Sequence, residues 1–402
     1  MRRPIDRAML ALVVALAAAG VIVVVAQVPA SRLSSDFTIN YSAGVLVRQG
    51  HLVAPYDPSA LGDMMRRVAP SGAIDPRLPF SLPLASALPY AILSLLPIEI
   101  AFRLWQLITV ALLLVAVVCL QRAAALTAPT LPSPRGGGKL GVLIPGLAML
   151  GLLAAVPTWA TMTEGQPTAC LFLGAAMVVL ALRSDSLALS AGAGFLLAVK
   201  PQYVPAYLAI LFAARRWRSL AAASAGAGLM VFSPLAGGVD ALSAMVHNAL
   251  SANHAVDIRL NEAWIGVIGP VLPAAIATVV AIALYAGVLA ALLLLAWRRP
   301  ASVIGFAALA GTLTVLASPH ALPHDLLILA VPVWLAIVLF REGAIGNPWP
   351  GFLAIDLALL VDLRGVELPL GPIVMTMVVA WYGWQFRQRA VQRGRPPIGR
   401  AA

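Results

Sequence analysis

Charge is scarce in this sequence. Only 11% of its 402 residues are Asp, Glu, Lys or Arg, while 61% are hydrophobic and the mean hydropathy is +0.93. A soluble core of this length has no room for that much apolar side chain, which excludes an ordinary soluble domain. Cysteine is nearly absent too. Cys119 and Cys170 lie inside apolar runs and read as packing residues, so neither a disulfide framework nor a cysteine-ligated metal is supported. The basic residues form no groove-sized face, which argues against nucleic acid as a partner. Lysine is as rare as cysteine: Lys139 and Lys200 are the only two among 27 basic residues.

What is there instead is a series of apolar blocks, each about as long as a helix needs to be to cross about 30 Å of hydrocarbon. Lipid offers no partner for a bare backbone amide, so each block must be helical. Spans are expected near residues 9–28, 79–97, 99–121, 140–157, 167–183, 187–213, 219–238, 272–297, 301–317, 326–341, 348–363 and 368–386, an all-α polytopic membrane protein with about a dozen helices in one domain, residues 1–402. The first run follows "MRRPIDR" and has no clear small-residue cleavage site, so it is expected to stay as an uncleaved anchor. Arginines cluster at Arg2, Arg3 and Arg7, in "RRWR" at 215–218, at Arg298 and Arg299, at Arg341 and in the tail 388–402, and such clusters mark cytoplasmic helix ends. The loops 29–78, 239–265 and 318–325 then face the other side.

Those loops hold the unusual polar residues. Loop 29–78 contains "DFTINYSAGVLVRQG", "PYDP" and "SALGDMMRRV", read as one or two short interfacial amphipathic helices around a turn at Pro55–Pro58. Pro79, Pro83, Pro89 and Pro97 suggest a broken or re-entrant piece in 79–121. A Lys-Pro pair interrupts "GFLLAVKPQYVPAYL", so a helix is expected to stop at Lys200 and restart at Pro201, leaving amides free to meet an anion. Discontinuous helices of this kind line binding sites in membrane proteins.

Each candidate has a plainer alternative beside it. Asp36 suits a helix N-cap as well as a general base. Lys200 suits a snorkelling side chain as well as an intramembrane cation for a phosphate, with Gln202 as a neutral donor. His320, His324 and Asp325 cluster in "SPHALPHDLLIL", where Pro319 and Pro323 break the helical face a two-histidine metal site would need. A histidine oriented by Asp325 beside a phosphate or sugar hydroxyl fits better, and Asp325 also suits a cap. Glu164 and Gln166 in "TMTEGQPT", and Asn261 and Glu262 beside Trp264, have the polar-with-aromatic character of sugar recognition, though ordinary membrane interfaces have it too.

Taken in order, "SDFTINYSAGVLVRQGHLVAPYDP", "LPFSLPLASALPYAILSLLP", "EGQPTACLFLGAAMVVLALR", "AGAGFLLAVKPQYVPAYL" with "RRWR", and "SPHALPHDLLIL" resemble glycosyltransferase family 87, integral-membrane transferases of the GT-C fold, over residues 34 to about 330. The resemblance implies a polyprenyl-phosphate sugar donor, typically mannose, a lipid or glycan acceptor, and inverting transfer without metal or cofactor on the periplasmic face of the inner membrane. It makes Asp36 the base. Lys200, Gln202, His320 and His324 are expected at the donor phosphate, and Tyr41, Tyr56, Glu164, Gln166, Asn261, Glu262 and Asp325 around the substrates. Two departures stand out: His324 replaces a tyrosine common before the aspartate of this loop, and "NEAW" stands where "NQS" is usual. A carrier or flippase for a lipid-linked sugar is the alternative, but carriers often show two similar halves and no repeat is visible here. A non-catalytic assembly subunit would keep the fold without needing Asp36.

Overall fold

The computed structural model describes residues 35–70, 78–125, 151–184, 186–255, 258–362 and 369–394, with a few positions between 15 and 22. Most of the expected anchor 9–28 and of the span 140–157, Lys139 and the end of the basic tail lie outside the described residues. Among those described there is helix and turn but no strand.

The chain opens with α1 (Ser35–Arg48) and α2 (Pro58–Val68), joined through a short 3-10 turn, Ala54–Tyr56. Asp57 caps α2: its Oδ1 accepts the Ser59 N–H at 2.8 Å, and Pro58 fills the first helical position, where no donor is needed. A 3-10 turn (Leu84–Ala87) runs into α3 (Leu88–Leu93), so residues 79–97 form no continuous span. There follow α4 (Ile98–Ala125), α5 (Val156–Glu164), α6 (Thr168–Ala181), α7 (Leu187–Leu197), α8 (Val204–Ala213), α9 (Trp217–Val231), α10 (Val239–Ala255), α11 (Trp264–Ile268), α12 (Ala274–Trp297), α13 (Val303–Leu316), α14 (Ala330–Arg341), α15 (Trp349–Asp362) and α16 (Leu370–Gly394). A 3-10 segment, Pro323–Leu329, leads into α14.

Among the described residues, four helical stretches are long and apolar enough to cross a bilayer: Ile98–Ala124, Trp217–Gly237, Ala274–Trp297 and Pro323–Arg341. The expected span 187–213 is in fact two helices, α7 and α8, broken at Lys200 by the 3-10 turn Pro201–Tyr203. Small residues set the spacing beside the break. A Cβ on Gly194 of α7 would sit 1.9 Å from the Ala223 carbonyl oxygen of α9, and one on Gly226 of α9 would sit 1.9 Å from that of Ala191. The two backbones therefore touch, as small-residue crossings in membranes allow.

Among the described residues there are two apolar cores. The larger joins α4 and the helices from α6 to α14 other than α10, with Val156 of α5, Leu359 of α15 and Met375 of α16; the smaller joins α1, α2 and α3 to the first turns of α4 and to Ala241 and Met245 of α10. This corrects the amphipathic, interfacial reading of α1: from Phe37 to Leu46 every residue is buried, polar Thr38, Asn40 and Ser42 included. Thr38, Asn40 and Ser42 face protein, because α2, α3 and the first turns of α4 pack around α1.

Candidate functional site

Four chain segments far apart in sequence end at one place: the N-terminal turn of α1 with Asp36, the C-terminus of α5 with Glu164, the helix break at Lys200, and the start of the 3-10 segment with His324 and Asp325. Lys200 Nζ forms an ion pair with Asp325 Oδ1 and lies 3.2 Å from His324 Nε2. Lys200 is 7% exposed and Asp325 fully buried, so this is an internal pair and not a snorkelling lysine. An ammonium only donates, so Nε2 accepts and the ring proton sits on Nδ1. That nitrogen donates to Glu164 Oε2. The His324 main chain is held as well, its carbonyl accepting from Thr161 Oγ1 at 3.2 Å. Asp325 does two jobs: its Oδ2 accepts the Leu322 N–H at 3.3 Å, closing the first turn of its own helix, while Oδ1 meets Lys200.

Asp36 completes the cluster. It is hydrogen-bonded to Gln166 and Glu164, and one ligand-type atom from each of Asp36, Glu164 and His324 lies within 4.8 Å of the others. Three such atoms could gather a small divalent cation, but the Glu164–His324 hydrogen bond already engages two of them. Burial raises the Asp36 carboxyl above its ordinary range and Glu164 adds to this, against His324, Gln166 and Lys200. Burial opposes ionisation of Glu164 too, but the His324 ring and its N–H, helped by Asp36 and Lys200, hold it low. Neighbouring carboxyls thus differ, Asp36 being raised and Glu164 held low.

His320 sits on the adjoining loop. Ser318 Oγ accepts its N–H at 3.2 Å and donates to its carbonyl at 2.7 Å, and Gln202 Nε2 reaches the same carbonyl at 3.5 Å. Burial, with Lys200 and His324, pushes the imidazole down to about 4 despite Asp325. At neutral pH it offers a neutral N–H. Gln202 is itself held through its carbonyl by Tyr285 Oη.

Asn261 is a bracket for that loop: its Oδ1 accepts the N–H groups of Ala263 (3.1 Å) and Ala321 (3.2 Å), and its Nδ2 donates to the Pro319 carbonyl (3.0 Å). The Glu262 N–H donates to the Ala321 carbonyl at 2.6 Å. Both side chains are buried. Tyr41 and Tyr56 lie away from the cluster, in the smaller core, with hydroxyls on the carbonyls of Leu96 (2.7 Å) and Leu82 (3.0 Å). Thr161 and Asp362 were not singled out from sequence; an acid at the end of the apolar run 348–363 was the signal available for Asp362.

Beside the cluster lies a cavity of about 620 Å³ with almost wholly apolar walls. It touches Leu326 and Leu327, next to Asp325, and runs along α14 to Leu339, with Pro300, Ser302 and Phe386 at the far end. At 1.5 Å per residue that is about 20 Å of helix.

No curated protein matches the sequence. The sequence profile of one family does, over residues 80–319, more than half of the 402. The matched stretch carries Glu164, Gln166, Lys200, Gln202, Asn261 and Glu262, while Asp36 precedes it and His320, His324 and Asp325 follow it. An all-helical membrane chain whose separated polar segments converge beside an apolar cavity, matched over this length, belongs to glycosyltransferase family 87.

Proposed function

We propose that this glycosyltransferase moves a hexose, with mannose the first candidate, from a polyprenyl-phosphate donor to a hydroxyl of a lipid or glycan acceptor, with inversion and on the periplasmic face of the inner membrane. The observation that carries the reading is the meeting of Asp36 with the Lys200–His324–Asp325 cluster next to the apolar cavity.

A single displacement needs one base to take the acceptor proton and positive or donor groups to receive the departing phosphate. Asp36 is the base: burial and the nearby Glu164 charge strengthen its ionised form as an acceptor, and Gln166 donates to it in that form. As the acceptor oxygen bonds to the anomeric carbon, the carbon–oxygen bond to phosphate breaks, and polyprenyl phosphate leaves. Among the described residues, Asp325 and His324 take two of the three Nζ–H donors of Lys200, leaving the third for a phosphate oxygen. His320 adds a neutral N–H. The prenyl chain lies in the cavity along α14, whose apolar walls suit it. The arginine clusters support the orientation, since they put Lys200 and the 318–325 loop at the opposite ends of their helices.

The test is incubation of the purified protein with radiolabelled polyprenyl-phosphate sugars and a membrane lipid extract. Consumption of one donor, with polyprenyl phosphate released and the label on a new product of inverted anomeric configuration, is the expected result. Transfer that continues at the wild-type rate in Asp36→Asn would overturn the assignment of the base.

A further inference from the structure

The reaction as drawn leaves one buried acid unused. Glu262 is 3% exposed, and its Oε2 has no hydrogen-bond partner among the described residues. Its carboxyl is in hydrogen-bonding contact with Asp362 at the C-terminal end of α15. The two meet over Gly371, where a Cβ would come within 2.5 Å of Glu262 Oε2 and 3.1 Å of Asp362 Oδ2. Asp362 is fixed from its other side by the N–H groups of Leu370 (2.8 Å) and Gly371 (2.6 Å) at the start of α16. Two carboxyls in contact under protein need a proton between them, since like charges at this separation in a poorly solvated site are costly. Asp362 has two N–H donors to hold its charge, so the proton belongs on Glu262.

The Glu262 main chain is already part of the bracket on the 318–323 loop, through its N–H on the Ala321 carbonyl, with Asn261 holding Pro319 and Ala321. We propose that Glu262 and Asp362 form a proton-dependent latch, a positioning pair that ties the α15–α16 junction to the 318–323 loop and so keeps His320 and the His324–Asp325 segment in register with Lys200. With the proton in place Glu262 donates to Asp362 and the bracket is closed. Without it two carboxylates face each other and the bracket loosens. Among the described residues the titratable group acting on Glu262 is Asp362; α16 presents Gly371, and the loop presents the Ala321 backbone. Burial first, and then Asp362, push Glu262 up to about 8, so the latch is closed at neutral pH and opens just above it.

The proposal rests on the donor reading for its consequence but not for its test. Hydrogen exchange of the full-length protein in lipid nanodiscs reads the latch without turnover, through the peptides covering 261–264 and 318–325. Corrected for the intrinsic rate, wild-type protection there is expected to fall about ten-fold per pH unit between about pH 4.5 and pH 8, where the closed form keeps the proton and the open form has lost it, and to level off above 8. Glu262→Gln keeps a donor to Asp362 at every pH, so its protection stays flat, and the rise of donor KM with pH expected of wild type disappears. Asp362→Asn removes the facing charge and flattens the profile independently, should the first variant fold poorly. Wild-type protection that is flat across this range, or a Glu262→Gln profile that falls like wild type, overturns the latch. If protection follows the expected course while no polyprenyl-phosphate sugar binds at any pH, the latch stands and the donor reading falls.

Discussion

Replacing Lys200 with methionine removes the cation and keeps the length of the side chain. Asp325 is fully buried, and its remaining contacts are the Leu322 N–H at 3.3 Å and His324 Nε2 at 3.5 Å. Neither replaces an ammonium in direct contact. Breaking a buried pair by removing one partner leaves an uncompensated charge and costs about 3–5 kcal/mol, whereas replacing both partners by neutral groups of similar shape is often close to neutral. Lys200→Met is therefore expected to lose roughly that much stability. The double variant Lys200→Met with Asp325→Asn, which keeps an acceptor for Leu322, should recover most of the loss. The assay is denaturant or thermal unfolding of wild type, both single variants and the double, read as a double-mutant cycle. Donor binding separates structure from chemistry: the double variant should fold and yet fail to hold a polyprenyl phosphate. A single variant as stable as wild type would refute the argument, as would a double no better than Lys200→Met.

Asp36→Asn preserves size and the contact with Gln166, so it should cost about 10²–10⁴ in transfer rate while leaving donor binding intact, measured by single turnover with pre-bound donor. Because burial raises Asp36, the acid limb of the pH–rate profile should lie above the ordinary carboxylate range, activity being lost as pH falls through it. Glu262 has the opposite sign for stability: its value rises on folding from 4.5 to about 8, so its contribution is fully present below about pH 4.5 and is lost as pH rises through 8. Unfolding free energies should therefore decline over that window and flatten in Glu262→Gln. Gly165 caps α5 at φ 65°, and a Cβ there would come within 2.7 Å of the Phe37 ring. Gly165→Ala should cost about 1–3 kcal/mol in unfolding experiments and separate Asp36 from Glu164. Ala336→Trp fills the middle of the apolar cavity and should raise KM for long-chain donors about ten-fold or more, with a short-chain analogue unaffected.

Some of this was legible in the residues and some was not. The break at Lys200 could be read because proline has no N–H to continue a helix, and the apolar blocks because lipid tolerates little else. Glu164 and His324 are separated by 160 positions, and no periodicity says that a carboxylate at the end of α5 will meet an imidazole ahead of α14. Tyr41 and Tyr56 look like sugar platforms in a string of letters. What takes them away is burial: their rings pack in the smaller core and their hydroxyls are used by Leu96 and Leu82. Burial of α1 on every side was hidden for a related reason, since a polar residue facing protein and one facing water are written the same way. Asp362 passed unnoticed because its partner, Glu262, is 100 residues earlier in a different loop.

The two cores have a consequence for how the enzyme feels its surroundings. Asp36 belongs to the smaller packed body and Lys200 to the larger, and Phe37 against Gly165 is one of the contacts where they abut. If a change of bilayer thickness slides one body past the other, the distance between Asp36 and Lys200 changes with it. Turnover should then track lipid thickness, even where the affinity for donor does not.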